Sequence, residues 1–150
     1  MIRVQEQAFD VAEELARLRT QNKTGATAIF IGSVRGLSEG RALSNMTLEH
    51  YPGMTENALK EIEDEAMVRF QLQASLIIHR YGSLAPGDDI VLVITQSDHR
   101  KEAFAACEFL MDWLKTKAPF WKLEASADQA QWVEAKASDD EAAKRWGEAT

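Results

Sequence analysis

Apolar residues recur along the chain in two rhythms, and the changes from one to the other predict the order of elements. Asp10-Val11-Ala12-Glu13 reads as a helix start, with an acidic cap and Glu three places on. Val11, Leu15 and Leu18 follow at helical spacing, so a short helix is expected to end near Asn22. From Ala26 to Val34 the run ATAIFIGSV is almost wholly apolar and rich in β-branched residues, the pattern of a strand buried on both faces. Residues 37–45, LSEGRALSN, are polar and glycine-bearing, which predicts a mobile loop. Met46-Thr47-Leu48-Glu49-His50 then alternates like a second strand.

Pro52-Gly53 turns the chain, and Thr55 stands where it can cap a helix to about Phe70, with Leu59, Ile62, Ala66 and Phe70 on one side. Ala74 to Tyr81 and Asp89 to Thr95 are the next strands, joined by a turn on Ala85-Pro86-Gly87-Asp88. Ser97 or Asp98 is expected to cap the longest helix, roughly 99–117, in which Phe104, Cys107, Met111 and Leu114 repeat at three- and four-residue steps. Pro119 stops it. Phe120 to Ala125 and Gln131 to Lys136 read as a hairpin, and Ser138-Asp139-Asp140-Glu141 as a capping box opening a short last helix. Strands 26–34 and 46–50 follow each other directly, as do 74–81 and 89–95, so the regular βαβ rhythm is missing. The expected class is α+β, a mixed or antiparallel sheet with flanking helices, in one domain spanning residues 1–150.

Composition narrows the functional classes. A chain of 150 residues can bury roughly 70% of its unfolded surface without staples. No apolar run approaches the roughly 20 residues of a membrane span, and the first residues lack the basic-then-apolar pattern of a secretory signal, so a cytoplasmic protein is expected. One cysteine allows no internal disulfide. The net charge of −7 repels polyanions and argues against nucleic acid as a partner, so any anionic ligand must be held by a local cluster of the 17 Lys and Arg.

Three basic constellations are placed to form such a cluster. Arg35 leaves the apolar strand between Gly32 and Gly36, where sites collect, although a solvated arginine ending a strand is the commoner reading of that position alone. His99-Arg100 opens the long helix, where free backbone N–H groups already favour an anion, and cationic residues oppose the helix dipole there. In Leu114-Lys115-Thr116-Lys117-Ala118-Pro119-Phe120-Trp121-Lys122, Lys117 is an ordinary C-terminal helix lysine. Lys115 instead borders the Phe104/Met111/Leu114 face, where its stem is expected to be partly covered and its ammonium desolvated, with Lys122 as a second cation. Cys107 sits in the apolar stripe and reads as a core thiol. The three histidines make no metal-ligand pattern, and no Walker, dinucleotide-binding or Gly-x-Ser-x-Gly motif is present.

Leu48-Glu49-His50-Tyr51-Pro52-Gly53-Met54-Thr55-Glu56, His99-Arg100 with Ala103-Phe104, and Leu114-Lys115 with Ala118-Pro119-Phe120-Trp121-Lys122 together resemble the molybdopterin synthase catalytic (large) subunit family. The likeness runs from about Gly25 to Trp146 and takes in Pro86-Gly87-Asp88, Trp132-Val133-Glu134-Ala135 and Ala143-Lys144-Arg145-Trp146. It implies an α/β-hammerhead fold and a homodimer that takes one small ubiquitin-like sulfur-carrier subunit at each end, a heterotetramer overall. It also implies a sulfurtransferase reaction in which the C-terminal Gly-Gly thiocarboxylate of the small subunit delivers two sulfurs to cyclic pyranopterin monophosphate, giving the dithiolene of molybdopterin. No resident cofactor or metal is implied. Matched to the family motif, Lys115 and Lys122 are catalytic, and Arg35, His99 and Arg100 bind substrate. Ser33, Val34, Leu123 and Glu124 line the same pocket, and Lys136 is a further candidate. Two positions depart from the family: Lys is frequent where Ser33 stands, and Arg where Lys136 stands. Two other classes compete. One is a non-catalytic dimeric adaptor gripping a ubiquitin-like tail; the other is a small anion- or nucleotide-binding domain using the N-terminus of helix 99–117.

Overall fold

The computed structural model describes residues 1–19, 22–38, 41–126, 130–133 and 137–147. Within these, the side chains of 37–38, 41–44, 121–126, 130–133 and 137–138 are not described. In chain order the elements are β1 (Ile2–Gln5), α1 (Val11–Arg17), β2 (Ala26–Ser33), β3 (Leu37–Ser38), β4 (Arg41–His50), α2 (Met54–Arg69) and β5 (Ala74–Arg80). They continue with β6 (Gly82–Leu84), β7 (Asp89–Ser97), α3 (Arg100–Thr116), β8 (Phe120–Ser126), β9 (Ala130–Val133) and α4 (Ala137–Lys144). The α+β class expected from the pattern is the class observed.

The apolar runs of β5 and β7 make the centre of a four-stranded mixed sheet ordered β1-β5-β7-β2, in which only β1 and β5 run parallel. Their side chains alternate between two cores, as a strand period of two requires. Ile77, Val91 and Val93 pack under α2 and α3 with Leu59, Ile62, Ala66, Ala106, Phe109 and Leu110. Leu76, Ile78, Leu92 and Ile94 pack under the shorter α1 with Leu18. A second sheet, ordered β3-β4-β8-β9 with β6 also on β4, stands beside the first. Val34, Met46, Leu48 and Leu84 close the junction. The Pro86-Gly87 turn is fastened there too, since Gly87 donates to the Val34 carbonyl (2.8 Å) and Val34 donates to that of Asp88 (2.9 Å).

Several expectations change. Residues 37–45 are not a loop: β3 and the first half of β4 form a hairpin over them, with Leu37 opposite Ala42, around positions 39–40 that lie outside the described residues. The long polar stretch hid a strand because its partner, β8, lies some 80 residues on in sequence, as in Leu43 opposite Ser126. β1 and β6 were too short to show a period. α1 has its predicted cap, Asp10 accepting from the Glu13 amide at 3.1 Å, yet it ends at Leu18 rather than near Asn22. At α2 the cap is Gly53, whose amide donates to Glu56 (2.9 Å). Thr55 lies inside the helix, accepting from the Tyr51 amide and donating to the Pro119 carbonyl (3.1 Å each). The last helix begins at Ala137, so Ser138 is within it and not its cap.

The largest departure is β2. Its apolar run predicts burial on both faces, but it is the outer strand of its sheet, and Ile29, Phe30 and Ile31 are 42%, 38% and 42% exposed. A seven-residue α1 covers Leu92 and Ile94 and does not reach their β2 neighbours, Ile31 and Ile29. An apolar strand at a sheet margin is a surface for association.

Tight turns fix how β7 hands over to α3. Gly25, just before β2, donates to the Ser97 carbonyl at 3.0 Å, and a Cβ built on it would lie 1.9 Å from the Asp98 carbonyl oxygen. Only a residue without a side chain fits against that backbone. Gly25→Ala is expected to cost roughly 1–3 kcal/mol, which lowers the melting temperature by about 3–10 °C; a thermal melt superimposing on that of the parent would show that the turn opens freely.

Candidate functional site

The five basic residues singled out by sequence divide between two ends of one helix. His99 is the cap of α3 and Arg100 its first residue, while Lys115 is one residue from its end. At 1.5 Å per residue, Arg100 and Lys115 are about 22 Å apart along the axis. The sheet beneath repeats the division: Ala26 of β2 is opposite Ser97 of β7, next to His99, whereas Ser33 is opposite Asp89, at the other end. Arg35 leaves β2 from that second end. One copy of the chain therefore sets Arg35 and Lys115 toward the same end of the sheet and helix and places His99-Arg100 at the other.

At the Arg35 end the backbone holds the groups in place. Ser33 donates to Asp89 (2.7 Å) across a register shift between Gly32 and Ser33, and Val34 is buried among Met46, Leu48 and Leu84, so Arg35 emerges exposed from an anchored stem. Lys122, in β8, is opposite Leu48 of β4, with Leu123 opposite Thr47 and Glu124 opposite Met46. Leu48 and Met46 belong to the cluster that contains Val34, so the register sets β8 from Lys122 to Glu124 beside the Arg35 stem. The side chains of Lys122, Leu123 and Glu124, and Lys136 altogether, lie outside the described residues.

Pro119 turns α3 into β8, as its ring and missing N–H require. Lys117 closes the helix by donating to the Trp113 carbonyl (2.8 Å), and Phe120 donates to that of Ala118 (2.8 Å). Lys115 is exposed, which corrects the expectation of a covered stem. Of the expected stripe, Cys107 and Met111 are buried and Leu114 packs on the core, while Phe104 is 65% exposed; the buried face is completed by Ala103, Ala106, Phe109 and Leu110. Among the described residues nothing covers the Lys115 ammonium; a molecule laid over it would.

An aromatic group that sequence did not single out lies within reach of the charge of Lys115. His79, the penultimate residue of β5, stacks on Phe120 with centroids 3.8 Å apart and planes 17° from parallel. His50 stands between Tyr81 (4.4 Å) and Phe120 (6.1 Å), and its Nε2 is 3.8 Å from a Glu56 oxygen. Burial pushes the His79 imidazole down to about 4, opposed by its hydrogen bond to the Arg80 carbonyl and assisted by the positive charge of Lys115 and that of His50 when protonated. His50 and His79 are 29 residues apart in sequence, and the pairing of β4 with both β6 and β8 makes neighbours of them, so no local motif announces the cluster.

At the far end, Thr95 ties β7 to the first turn of α3 by donating to the Ala103 carbonyl (2.7 Å), and Gln73 donates to the Asp98 carboxylate. Neither Ser97 nor Asp98 is the cap. Ser97 is the last residue of β7, and His99 takes the position with extended backbone and no side-chain bond to the helix amides. His99 and Arg100 are both exposed. Cys107 is buried, as expected, and burial together with Glu108 raises its thiol to about 11, which keeps it protonated and poorly nucleophilic at neutral pH. Among the described residues, no helix is long and apolar enough to cross a membrane.

Comparison with known proteins shows the family and the fold. The family profile described as MoaE protein matches residues 4–117. A molybdopterin synthase catalytic subunit from Ralstonia nicotianae is 56% identical over 147 residues, covering 97% of this chain and 84% of the relative. Its Escherichia coli counterpart is 52% identical over 140 residues, 93% of each chain. Among solved structures, the molybdopterin biosynthesis MoaE protein from Burkholderia ambifaria superposes with a TM-score of 0.83 at 51% identity, covering 98% of this chain and 97% of that one. The fold implied by the resemblance is thus the fold adopted.

Proposed function

Because the chain belongs to the MoaE family of molybdopterin synthase catalytic subunits, we propose that it transfers sulfur from the C-terminal Gly-Gly thiocarboxylate of a small ubiquitin-like subunit to cyclic pyranopterin monophosphate. What supports the reading is that three cationic positions lie toward one end of the fold. Arg35 leaves the anchored Val34 stem, Lys122 is in register with Leu48 beside it, and the charge of Lys115 reaches His79 below the same turn. On a surface of net charge −7 such a grouping is a local exception suited to anions.

In this mechanism the small subunit's tail lies over Lys115 and excludes water, which supplies the desolvation that the isolated chain lacks. Once the carrier's sulfur has bonded to the pterin side chain, water adds to the thiocarboxylate carbon and Lys115 stabilises the negative charge that develops on its oxygen; collapse of that adduct breaks the carbon–sulfur bond, leaving the sulfur on the pterin and the tail as a carboxylate, while Lys122 moves protons at the pterin side chain. Arg35 holds a substrate oxyanion in bidentate fashion. The sulfur is the carrier's, in keeping with an inert Cys107, and the reaction calls for no resident cofactor on this chain.

His99 and Arg100 enter through a second copy. The exposed Ile29-Phe30-Ile31 strip favours a two-fold axis close to Phe30, with two β2 strands antiparallel. That symmetry sets the Ala26 end of one strand, next to its own His99-Arg100, beside the Ser33 end of the other. Each site of the homodimer then has the lysines and Arg35 of one copy and the α3 N-terminus of its mate. The assembly with two small subunits is a heterotetramer.

Reconstitution tests the whole reading. Mixed with thiocarboxylated small subunit and cyclic pyranopterin monophosphate, the chain is expected to yield a dithiolene product, detected by mass. Binding of the small subunit without any sulfur appearing in the pterin would favour the adaptor.

A further inference from the structure

The stem of Arg35 is gripped by a turn to which the mechanism above gives no role. Ala85-Pro86-Gly87-Asp88 follows the type II pattern: the Asp88 amide donates to the Ala85 carbonyl at 3.0 Å, and Gly87 takes the positive φ (94°) required at the third position. The Asp88 carboxylate closes the same turn from its other side, with Oδ2 accepting from the Ala85 amide at 2.9 Å. Closed in this way, the turn presents one donor and one acceptor to Val34. Gly87 donates to the Val34 carbonyl (2.8 Å), and the Asp88 carbonyl accepts from the Val34 amide (2.9 Å), so both backbone groups of the residue before Arg35 are held.

A bulge stands at the same place. Gly32 of β2 is opposite Val91 but Ser33 is opposite Asp89, so Ile90 is passed over and packs against the cluster that contains Val34. Bulges bend a strand and re-aim the side chains near them. This one is pinned from two directions: Ser33 donates to the Asp89 carboxylate (2.7 Å), and the Asp89 carbonyl accepts from Arg80, which also donates to the Glu6 carbonyl (3.0 Å each). Beyond the bulge Arg35 is exposed, and among the described residues no hydrogen bond or ion pair holds its guanidinium. Its direction is therefore set by the backbone of Val34, and that backbone by the turn. A turn that had only to lead from β6 into β7 would need its own closing bonds and nothing from β2.

Resting on the reading of Arg35 as the group that holds a substrate oxyanion, we propose that Asp88 is a positioning residue for it. The Asp88 carboxylate keeps the turn in the shape that grips Val34, and Val34 delivers the guanidinium to the anion. Asp88 acts through the backbone and takes no part in the chemistry.

Two substitutions at position 88 separate the bond from the charge. Asp88→Asn keeps an oxygen for the Ala85 amide, and Asp88→Ala removes it. In the complex reconstituted with thiocarboxylated small subunit, Arg35→Ala is expected to raise KM for cyclic pyranopterin monophosphate roughly 10–100-fold, the loss of a charge-assisted pair. Asp88→Ala is expected to raise it roughly 5–10-fold with kcat within about twofold, since a binding group is misaimed and no reacting group is lost. Asp88→Asn is expected to bring KM back to within about twofold of the parent, because the closing bond survives. In an Arg35→Ala background Asp88→Ala is expected to add nothing to KM, since the two act through one guanidinium. A parent-like KM in Asp88→Ala at any melting temperature, an Asn variant no better than Ala, or an undiminished rise in the Arg35→Ala background would overturn the positioning role. A parent-like KM in Arg35→Ala would instead remove the reading of the arginine on which it rests. Should Asp88→Ala fail to fold, Gly87→Ala decides. A Cβ there meets nothing within 4 Å and strains only the positive φ, so the turn loosens without crowding the junction. KM is then expected to rise about threefold or more, and an unchanged KM would overturn the role equally.

Discussion

Lys115→Ala is expected to lower dithiolene formation roughly 10²–10³-fold, the loss seen when one preorganised stabiliser of a developing oxyanion is removed. Affinity for the small subunit is expected to stay near that of the parent. Lys115 is exposed, and among the described residues its side chain makes no hydrogen bond or ion pair, so the substitution unpairs none of the described buried groups. Single-turnover product measurement beside a titration of the small subunit separates the two quantities. Unchanged turnover would take Lys115 out of the chemistry, and parallel loss of binding and turnover would make it an electrostatic handle, as the adaptor reading has it. Lys115→Arg is expected to fall well short of rescue, because a planar guanidinium cannot take the place of a compact ammonium at one oxygen.

How far sequence led to this site depends on the range over which each signal acts. The central strands were legible because burial on both faces writes itself into consecutive residues: Leu76, Ile77 and Ile78 in β5, and Leu92, Val93 and Ile94 in β7, are each fully buried. The same signal misled at β2, since an apolar run records that something covers the strand without saying whether the cover is the same chain or another. The stripe on α3 failed at Phe104 alone, which outranks Ala103 and Ala106 in hydrophobicity, while the close approach of α3 to the sheet admits the alanines and leaves the phenylalanine outward. Arg35, Lys115 and Lys122 were found by residue type and by family likeness. That they lie toward one end of the fold, with His79 stacked on the first residue of β8, follows from the pairing of β4 with β6 and with β8, the latter some 70 residues on, which no window along the chain contains. The remote position of His99-Arg100 was equally hidden, since a motif gives the order of residues and not the 17-residue helix that parts them.

That separation supplies the sharpest test of the assembled site. Arg100→Ala and Lys115→Ala, each prepared alone, are expected to be nearly inactive. In a homodimer whose sites each draw on both copies, a mixed dimer has one site carrying both lesions and one carrying neither. Co-refolding the two variants at equal amounts makes half of the dimers mixed, so about a quarter of the parent activity is expected to return by symmetry alone. A site built within one chain has no such route, because every chain in the mixture still bears a lesion. Phe30→Asp added to the Lys115→Ala chain buries an unpaired charge at the two-fold and is expected to abolish the recovery, with the chain running as a monomer on sedimentation. Recovery near zero in dimers shown to have exchanged would mean that Arg100 and Lys115 act 22 Å apart in one chain, about the full length of α3. No pterin phosphate bridges that span, so the α3 N-terminus would then serve some ligand other than the sulfur acceptor.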